Sequence, residues 1–392
     1  MKKHMMAEII KDKNAGGVHT AEEITGQPEL WLKVWEAVKE KKKEISVFLN
    51  KAKRNPNLHV ILTGAGTSAF IGNVLEGIFQ KKTGMITKAV PTTDLITHPD
   101  LYFQKDKDVL LISFARSGNS PESMKAVQLA GQLSHSNLNL VITCSEKSKL
   151  VDAAKNNHSL TFILPPEAND KSLAMTGSFT SMLLAGILIA DINLINEKEN
   201  EVSLLAKYGK TVLNEYMEPL IKVSEINFER AAFLGSGLMQ GIARESQLKL
   251  QELTDGKVIC KYDTFMGLRH GPKAVINERT LITYLFSNNK YVNRYEVDLV
   301  KEINQGRRPI FTIGVMENKI KGVNPDLEII LDGNNNRLSE EFLAIVSVVP
   351  AQMLGYLKSI QLGLKPDSPS ESGMIHRVVK GVKIYPYENK SA

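Results

Sequence analysis

The sequence predicts an α/β protein made of two tandem, doubly wound parallel-sheet domains. Three observations lead there. Short apolar β-type runs alternate with helical stretches, the rhythm of a parallel sheet covered by helices on both faces. The rhythm stops at a long polar helical region around Asn196–Tyr216 and then restarts. Each half opens on a strand running into a glycine turn, Gly64-Ala65-Gly66 and Gly235-Ser236-Gly237; a duplicated domain is the simplest account of that weak repeat.

At 392 residues the chain has the length for two such domains. The first fifteen or so residues read as a loose arm. From Thr20 to about Arg54 the pattern is helical, because Leu30, Trp31, Val34, Trp35 and Val38 recur at three- and four-residue steps. Strands follow at Val60-Ile61-Leu62, Val109-Leu110-Leu111-Ile112, Leu140-Val141-Ile142 and Phe162-Ile163-Leu164, with helices at about Ala69–Lys81, Pro121–Gln132 and Lys149–Asn156. In the second half, strands at Ala231–Leu234, Leu281–Leu285, Ile310–Ile313 and Ile329–Leu331 accompany helices at Met239–Leu253 and Glu340–Leu362. A turn-rich tail begins at Lys365-Pro366. The expected division is an arm and helix (1–54), a first domain (55–200), a second domain (201–364) and a tail (365–392).

Composition narrows the class. The net charge of +6 is dispersed, and the densest run, Lys41-Lys42-Lys43, sits among Glu36, Glu40 and Glu44. That is a solvated helix face and not a nucleic-acid stripe, although a mildly positive surface suits an anionic small molecule. Cys144 and Cys260 are the only cysteines, so neither a disulfide framework nor a zinc spacing is expected, and a reducing cytosol fits. The start lacks an apolar signal core. Met175–Ile192 approaches spanning length, but Thr176, Ser178, Thr180, Ser181 and Asp191 interrupt it, which makes a buried core helix the better reading. No membrane partner, metal or organic cofactor is expected.

Two loops in the first half read as a phosphate cradle. Gly64-Ala65-Gly66-Thr67-Ser68 joins a strand to a helix, where backbone N–H groups and the helix dipole face an anion and glycine allows close approach. Ser113 to Ser123 holds Arg116, Ser117 and Ser120 around Gly118. Ser120 before Pro121 is also an ordinary helix N-cap, and that role explains neither Arg116 nor Ser117. In the second half, Glu245, Lys249 and Glu252 lie at i, i+4 and i+7 and share one helix face. Spacing alone allows a plain exposed ion pair there. Further on, Arg269-His270-Gly271-Pro272 puts a histidine in a tight turn.

These motifs resemble known ones. Ala115-Arg116-Ser117-Gly118-Asn119-Ser120 is similar to the Ser-x-Ser-Gly-x-Thr phosphate loop of the sugar isomerase (SIS) domain, with alanine for the first serine and serine for the last threonine. Gly66-Thr67-Ser68 resembles the partner loop in the isomerase half of glucosamine-6-phosphate synthase. Leu248-Lys249-Leu250-Gln251-Glu252 with Arg269-His270-Gly271-Pro272 resembles that enzyme's catalytic segment. The resemblance implies Glu252 as enolisation base, His270 as ring-opening residue and Lys249 as assisting cation, with Glu245 beside them. Arg377-Val378-Val379-Lys380 resembles the synthase tail, whose lysine forms an imine with the ketose and would fall on Lys380.

The synthase's glutaminase domain has no counterpart here. Thr20-Ala21-Glu22-Glu23-Ile24, Ser172-Leu173-Ala174-Met175-Thr176 and Pro366-Asp367-Ser368-Pro369-Ser370 instead resemble the galactosamine-6-phosphate deaminase/isomerase family, also called tagatose-6-phosphate ketose/aldose isomerase. That resemblance runs from about Thr20 to Tyr387. It implies tandem SIS domains, a phosphorylated amino sugar as substrate, its deamination to tagatose 6-phosphate, and a homo-oligomer. Plain aldose–ketose isomerisation and a non-catalytic sugar-phosphate sensor stay open.

Overall fold

A computed structural model describes residues 16–155, 158–332, 336–379 and 381–388. The expected arm, the last residue of the Lys149–Asn156 helix and Lys380 lie outside the described residues. Three helices open the chain: α1 (Val18–Thr25), α2 (Gln27–Glu40) and α3 (Lys42–Lys53). The single helical pattern from Thr20 to Arg54 is thus broken twice. One break falls at Gly26, just before Pro28 in the first turn of α2, where proline's missing N–H suits a helix start and not a helix interior.

The first sheet holds β1 (Leu58–Thr63), β2 (Thr87–Ala89), β3 (Asp108–Ala115), β4 (Ser136–Thr143) and β5 (Ser159–Ile163). Helices α4 (Thr67–Thr83), α5 (Thr92–Thr97), α6 (Pro121–Leu133), α7 (Lys149–Ala154) and α8 (Gly177–Ala190) accompany it. After α9 (Glu199–Glu215) and α10 (Met217–Glu225) come β6 (Arg230–Gly235), β7 (Ile259–Asp263), β8 (Thr280–Leu285), β9 (Phe311–Met316) and β10 (Leu327–Ile330). Their helices are α11 (Met239–Leu253), α12 (Phe265–Leu268), α13 (Lys290–Gln305), α14 (Glu340–Ser347) and α15 (Val349–Gln361). Both sheets are wholly parallel, ordered β2-β1-β3-β4-β5 and β10-β9-β8-β6-β7. Counted within its own half, the second order is the first one reversed on the page, so the two halves share one topology.

The glycine turns repeat in detail. Gly66 and Gly237 both have φ of 57°, with open space where a Cβ would sit. At Gly64 a Cβ would lie 2.6 Å from the Ser68 carbonyl oxygen; at Gly235, 2.3 Å from that of Met239. Each first glycine therefore lets the helix fold back on its strand, and each second one turns the chain through a conformation other residues avoid.

One hydrophobic core runs through both halves, joining Leu62 and Phe114 of the first sheet to Phe233 and Ile329 of the second through α4, α8, α11 and α15. Gly241 lets α11 press on α4, since a Cβ there would lie 2.5 Å from Val74 Cγ2. The outer face of each sheet has a separate core. α8 is buried along its whole length. The long helix expected over Glu340–Leu362 divides at Val348, because Pro350 cannot donate to a carbonyl one turn back. Among the described residues, Glu340–Gln361 is the stretch apolar and long enough to cross a membrane, and 94% of its apolar window is buried inside the fold.

Candidate functional site

In a sheet ordered 2-1-3-4-5 the chain reverses direction between the first and third strands, and ligands bind outside the carboxyl ends there. Both expected phosphate loops leave those two strands. The first turn closes with Ser68 N–H donating to Ala65 O (3.1 Å) and Ala69 N–H to Gly66 O (2.9 Å), which starts α4. Ser68 is buried, its hydroxyl 3.9 Å from Met175 Sδ. In the second loop Gly118 has φ of 62° and packs against Ser148, leaving 2.4 Å between an added Cβ and Ser148 Oγ. Ser117 is half-buried and its hydroxyl accepts from Asn119 N–H at 3.3 Å. Ser120 caps α6, accepting from Ser123 N–H, and shares a 2.8 Å hydrogen bond with the Ser123 hydroxyl.

Arg116 points elsewhere. Its buried guanidinium donates to the carbonyls of Ser172 and Leu173 (3.1 Å each), Ala174 (3.5 Å) and Arg377 (2.7 Å). It ties the segment before α8 and the C-terminal tail to the loop, with both terminal nitrogens of the guanidinium held by carbonyls. That segment is braced from two further sides. Asp170 accepts from the N–H groups of Thr176 (2.9 Å), Gly177 and Ser178 (3.0 Å each), satisfying the start of α8. Glu23 on α1 accepts from Ser172 N–H at 3.2 Å. Burial, with Asp170 nearby, pushes the Glu23 carboxyl up to about 7. The run Ser172–Thr176 matters through these contacts. Its sequence signal was an acid placed ahead of small polar residues at a helix start.

The catalytic-segment residues sit on α11. Glu245 and Lys249 are fully buried, and the Glu252 side chain keeps 24% of its exposure. Lys249 Nζ lies 2.7 Å from Glu252 Oε2, 3.3 Å from Glu245 Oε1 and 3.1 Å from the hydroxyl of Thr67. These are its three donors' partners. Thr67 also reaches Glu245 Oε1 at 3.4 Å. Burial pushes the Glu245 carboxyl up to about 8, against the pull of Lys249. Burial works against the Lys249 ammonium too, yet Glu245 and Glu252 hold it above its usual value. The carboxylate cluster of the second half thus meets the glycine turn of the first at a buried seam. A partly exposed carboxylate fixed by a buried cation, beside a glycine turn at a helix N-terminus, can take and return a proton.

His270 is not part of this cluster. α11 packs on the sheet face carrying Ala231 and Phe233, whereas α12, which leads to His270, packs on the face carrying Ala232 and Leu234. The His270 side chain is exposed and lines an open depression with Lys273, Glu302 and Arg307. The loop of the second half that corresponds to Arg116–Ser120 is filled from within: Ser287 N–H donates to Glu296 (3.3 Å) and its hydroxyl to Glu340.

Comparison with known proteins agrees with this architecture. The SIS domain family matches residues 54–190. The D-galactosamine-6-phosphate deaminase AgaS of Shewanella sp. is 36% identical, over 95% of this chain and 93% of its own length. The crystal structure of the tagatose-6-phosphate ketose/aldose isomerase from Escherichia coli superposes with a TM-score of 0.86 at 33% identity, covering 95% of this chain and 97% of that one. The corresponding AgaS protein of Escherichia coli is 36% identical, again over 95% of this chain and 97% of its own.

Proposed function

The chain belongs to the galactosamine-6-phosphate deaminase/isomerase family of tandem SIS-domain proteins, and on that premise we propose that it converts galactosamine 6-phosphate and water to tagatose 6-phosphate and ammonia. The observation that carries the reading is the buried contact of Lys249 with both Glu252 and Thr67, which sets a proton-transfer group beside the phosphate turn.

The substrate phosphate docks on the N–H groups of Gly66 and Thr67 and on the hydroxyls of Ser68, Ser117 and Ser120, at the positive end of α4. His270 assists opening of the pyranose. Since it lies across the sheet from Glu252 of its own chain, it serves the site of a second copy, and the working unit is a homo-oligomer. Glu252 removes the C2 proton, with the developing enolamine charge stabilised by the buried Lys249 ammonium, and delivers it to C1. The product of that shift carries an imine at C2. Water adds to it, the C–N bond breaks, and ketose phosphate and ammonia leave. The two cysteines are buried and free, in keeping with a reducing cytosol.

The test is ammonia release from a panel of 2-amino-sugar 6-phosphates in deuterated water. Ammonia and tagatose 6-phosphate appear one for one, with deuterium at C1. Glu252→Gln keeps substrate binding and loses roughly 10²–10⁴ in kcat. Interconversion of tagatose 6-phosphate with an aldose, without ammonia from any amino sugar, replaces this reading with the plain isomerase. Tight binding without turnover of either substrate replaces it with a sensor.

A further inference from the structure

We infer that Thr67 is a positioning residue whose main chain faces the substrate phosphate while its side chain holds the Lys249 ammonium, so that phosphate docking in one half orders the proton-transfer group of the other. The inference rests on the functional reading above and assigns Thr67 a different task from that of a phosphate ligand. Thr67 is the first residue of α4, directly after Gly66. Its backbone N–H therefore belongs to the open first turn, where helix donors have no partner within the helix. Its hydroxyl is buried and turned the other way, accepting from Lys249 Nζ at 3.1 Å and lying 3.4 Å from Glu245 Oε1.

The geometry gives this hydroxyl unusual leverage. Lys249 has three N–H donors and three described partners, of which Glu245 and Glu252 stand on its own helix. Thr67 is the partner that comes from the first half, across the seam. Without it the ammonium keeps two carboxylates a turn away on either side and nothing to fix it against the phosphate turn. Glu252 is oriented by that ammonium at 2.7 Å. A shift at residue 67 thus reaches the base through one intermediate atom. The closeness of α11 to α4, permitted by Gly241 against Val74, keeps the path short. The phosphate acts on turnover as well as on affinity, because the anion that binds the turn also fixes the residue that fixes the lysine.

Steady-state kinetics of the full chain test this with Thr67→Val, which keeps the shape and removes the hydroxyl, and Thr67→Ser, which restores it. Inorganic phosphate as competitive inhibitor probes the cradle separately. Thr67→Val is expected to lose about 10- to 100-fold in kcat, with KM and the phosphate inhibition constant within twofold of wild type. Thr67→Ser returns kcat to within about fivefold of wild type, which a folding defect at this buried site does not do. A tenfold rise in the phosphate inhibition constant with kcat retained makes Thr67 a phosphate ligand and overturns the proposal, as does an unchanged kcat in Thr67→Val. Exchange of solvent deuterium into tagatose 6-phosphate, followed on the same variants, separates the two readings. If wild type exchanges deuterium but frees no ammonia, deamination falls while the exchange rates still decide on Thr67. If wild type does neither, both fall together.

Discussion

Glu245 shows how much a single buried carboxyl controls. A glutamate ordinarily ionises near 4.5, and here burial moves it to about 8. Between those values the folded chain holds a proton that the unfolded chain releases, so rising pH favours unfolding. The stabilisation is complete below about 4.5 and is lost as pH passes through 8. Glu23 and Glu296, raised to about 7 by burial, act in the same direction. Glu245→Gln removes one of these protons, and its Tm should fall less between pH 6 and pH 9 than that of wild type. An identical fall in both proteins contradicts the raised value. The common face of Glu245, Lys249 and Glu252 was legible in the sequence, because helical spacing is local. The meeting of Lys249 with Thr67 was not, since 182 residues separate them and no periodicity encodes a contact made by packing one half on the other. Arg116 was drawn toward the phosphate by its neighbours in sequence; its partners in space are four carbonyls.

At the level of elements, the repeated glycine turn separates structure from function within one molecule. Gly66 and Gly237 share a backbone conformation that costs any other residue about 1–3 kcal/mol. Replacing either by alanine should lower stability by a similar amount in urea unfolding. Gly66→Ala should also raise KM for the sugar phosphate severalfold, whereas Gly237→Ala should leave KM unchanged, because the partner loop of the Gly237 turn, the one after β8, is filled by Glu296 and Glu340. Equal effects on KM would sink the distinction. Eight of the ten strands among the described residues announced themselves as apolar runs. The two missed, β2 and β7, are edge strands at the same place in each half. Thr87-Lys88-Ala89 and Ile259-Cys260-Lys261-Tyr262-Asp263 carry lysines and show too little continuous apolar surface to stand out, as edges in contact with water do.

For the whole molecule, the placement of His270 fixes a count. If it acts on another copy, Glu252→Gln and His270→Ala chains are each crippled alone but complementary when mixed. A mixed dimer then has one site with both native groups and one with neither. Random mixing after mild dissociation should restore about a quarter of wild-type activity for a symmetric dimer. No restoration assigns His270 to its own chain or to no step at all. The duplicated plan was legible in two glycine turns; the division of labour between the copies was not, because it depends on which side chains meet at the seam. In the second half Ser287 spends its N–H and hydroxyl on Glu296 and Glu340, and a helix of acids and lysine meets the seam.

The shared core across that seam has a consequence for synthesis. Residues up to the end of α8 complete the first sheet, but the apolar face of α4 meets α11 and that of α8 meets α14, and these come from the second half, whose last helix ends at Gln361. At 5–20 residues per second that is roughly 10–30 s on the ribosome. During this interval the leading half is a sticky object without its lid, exposed to chaperones and to neighbouring nascent chains, and the speed of translation through the second half becomes a determinant of yield.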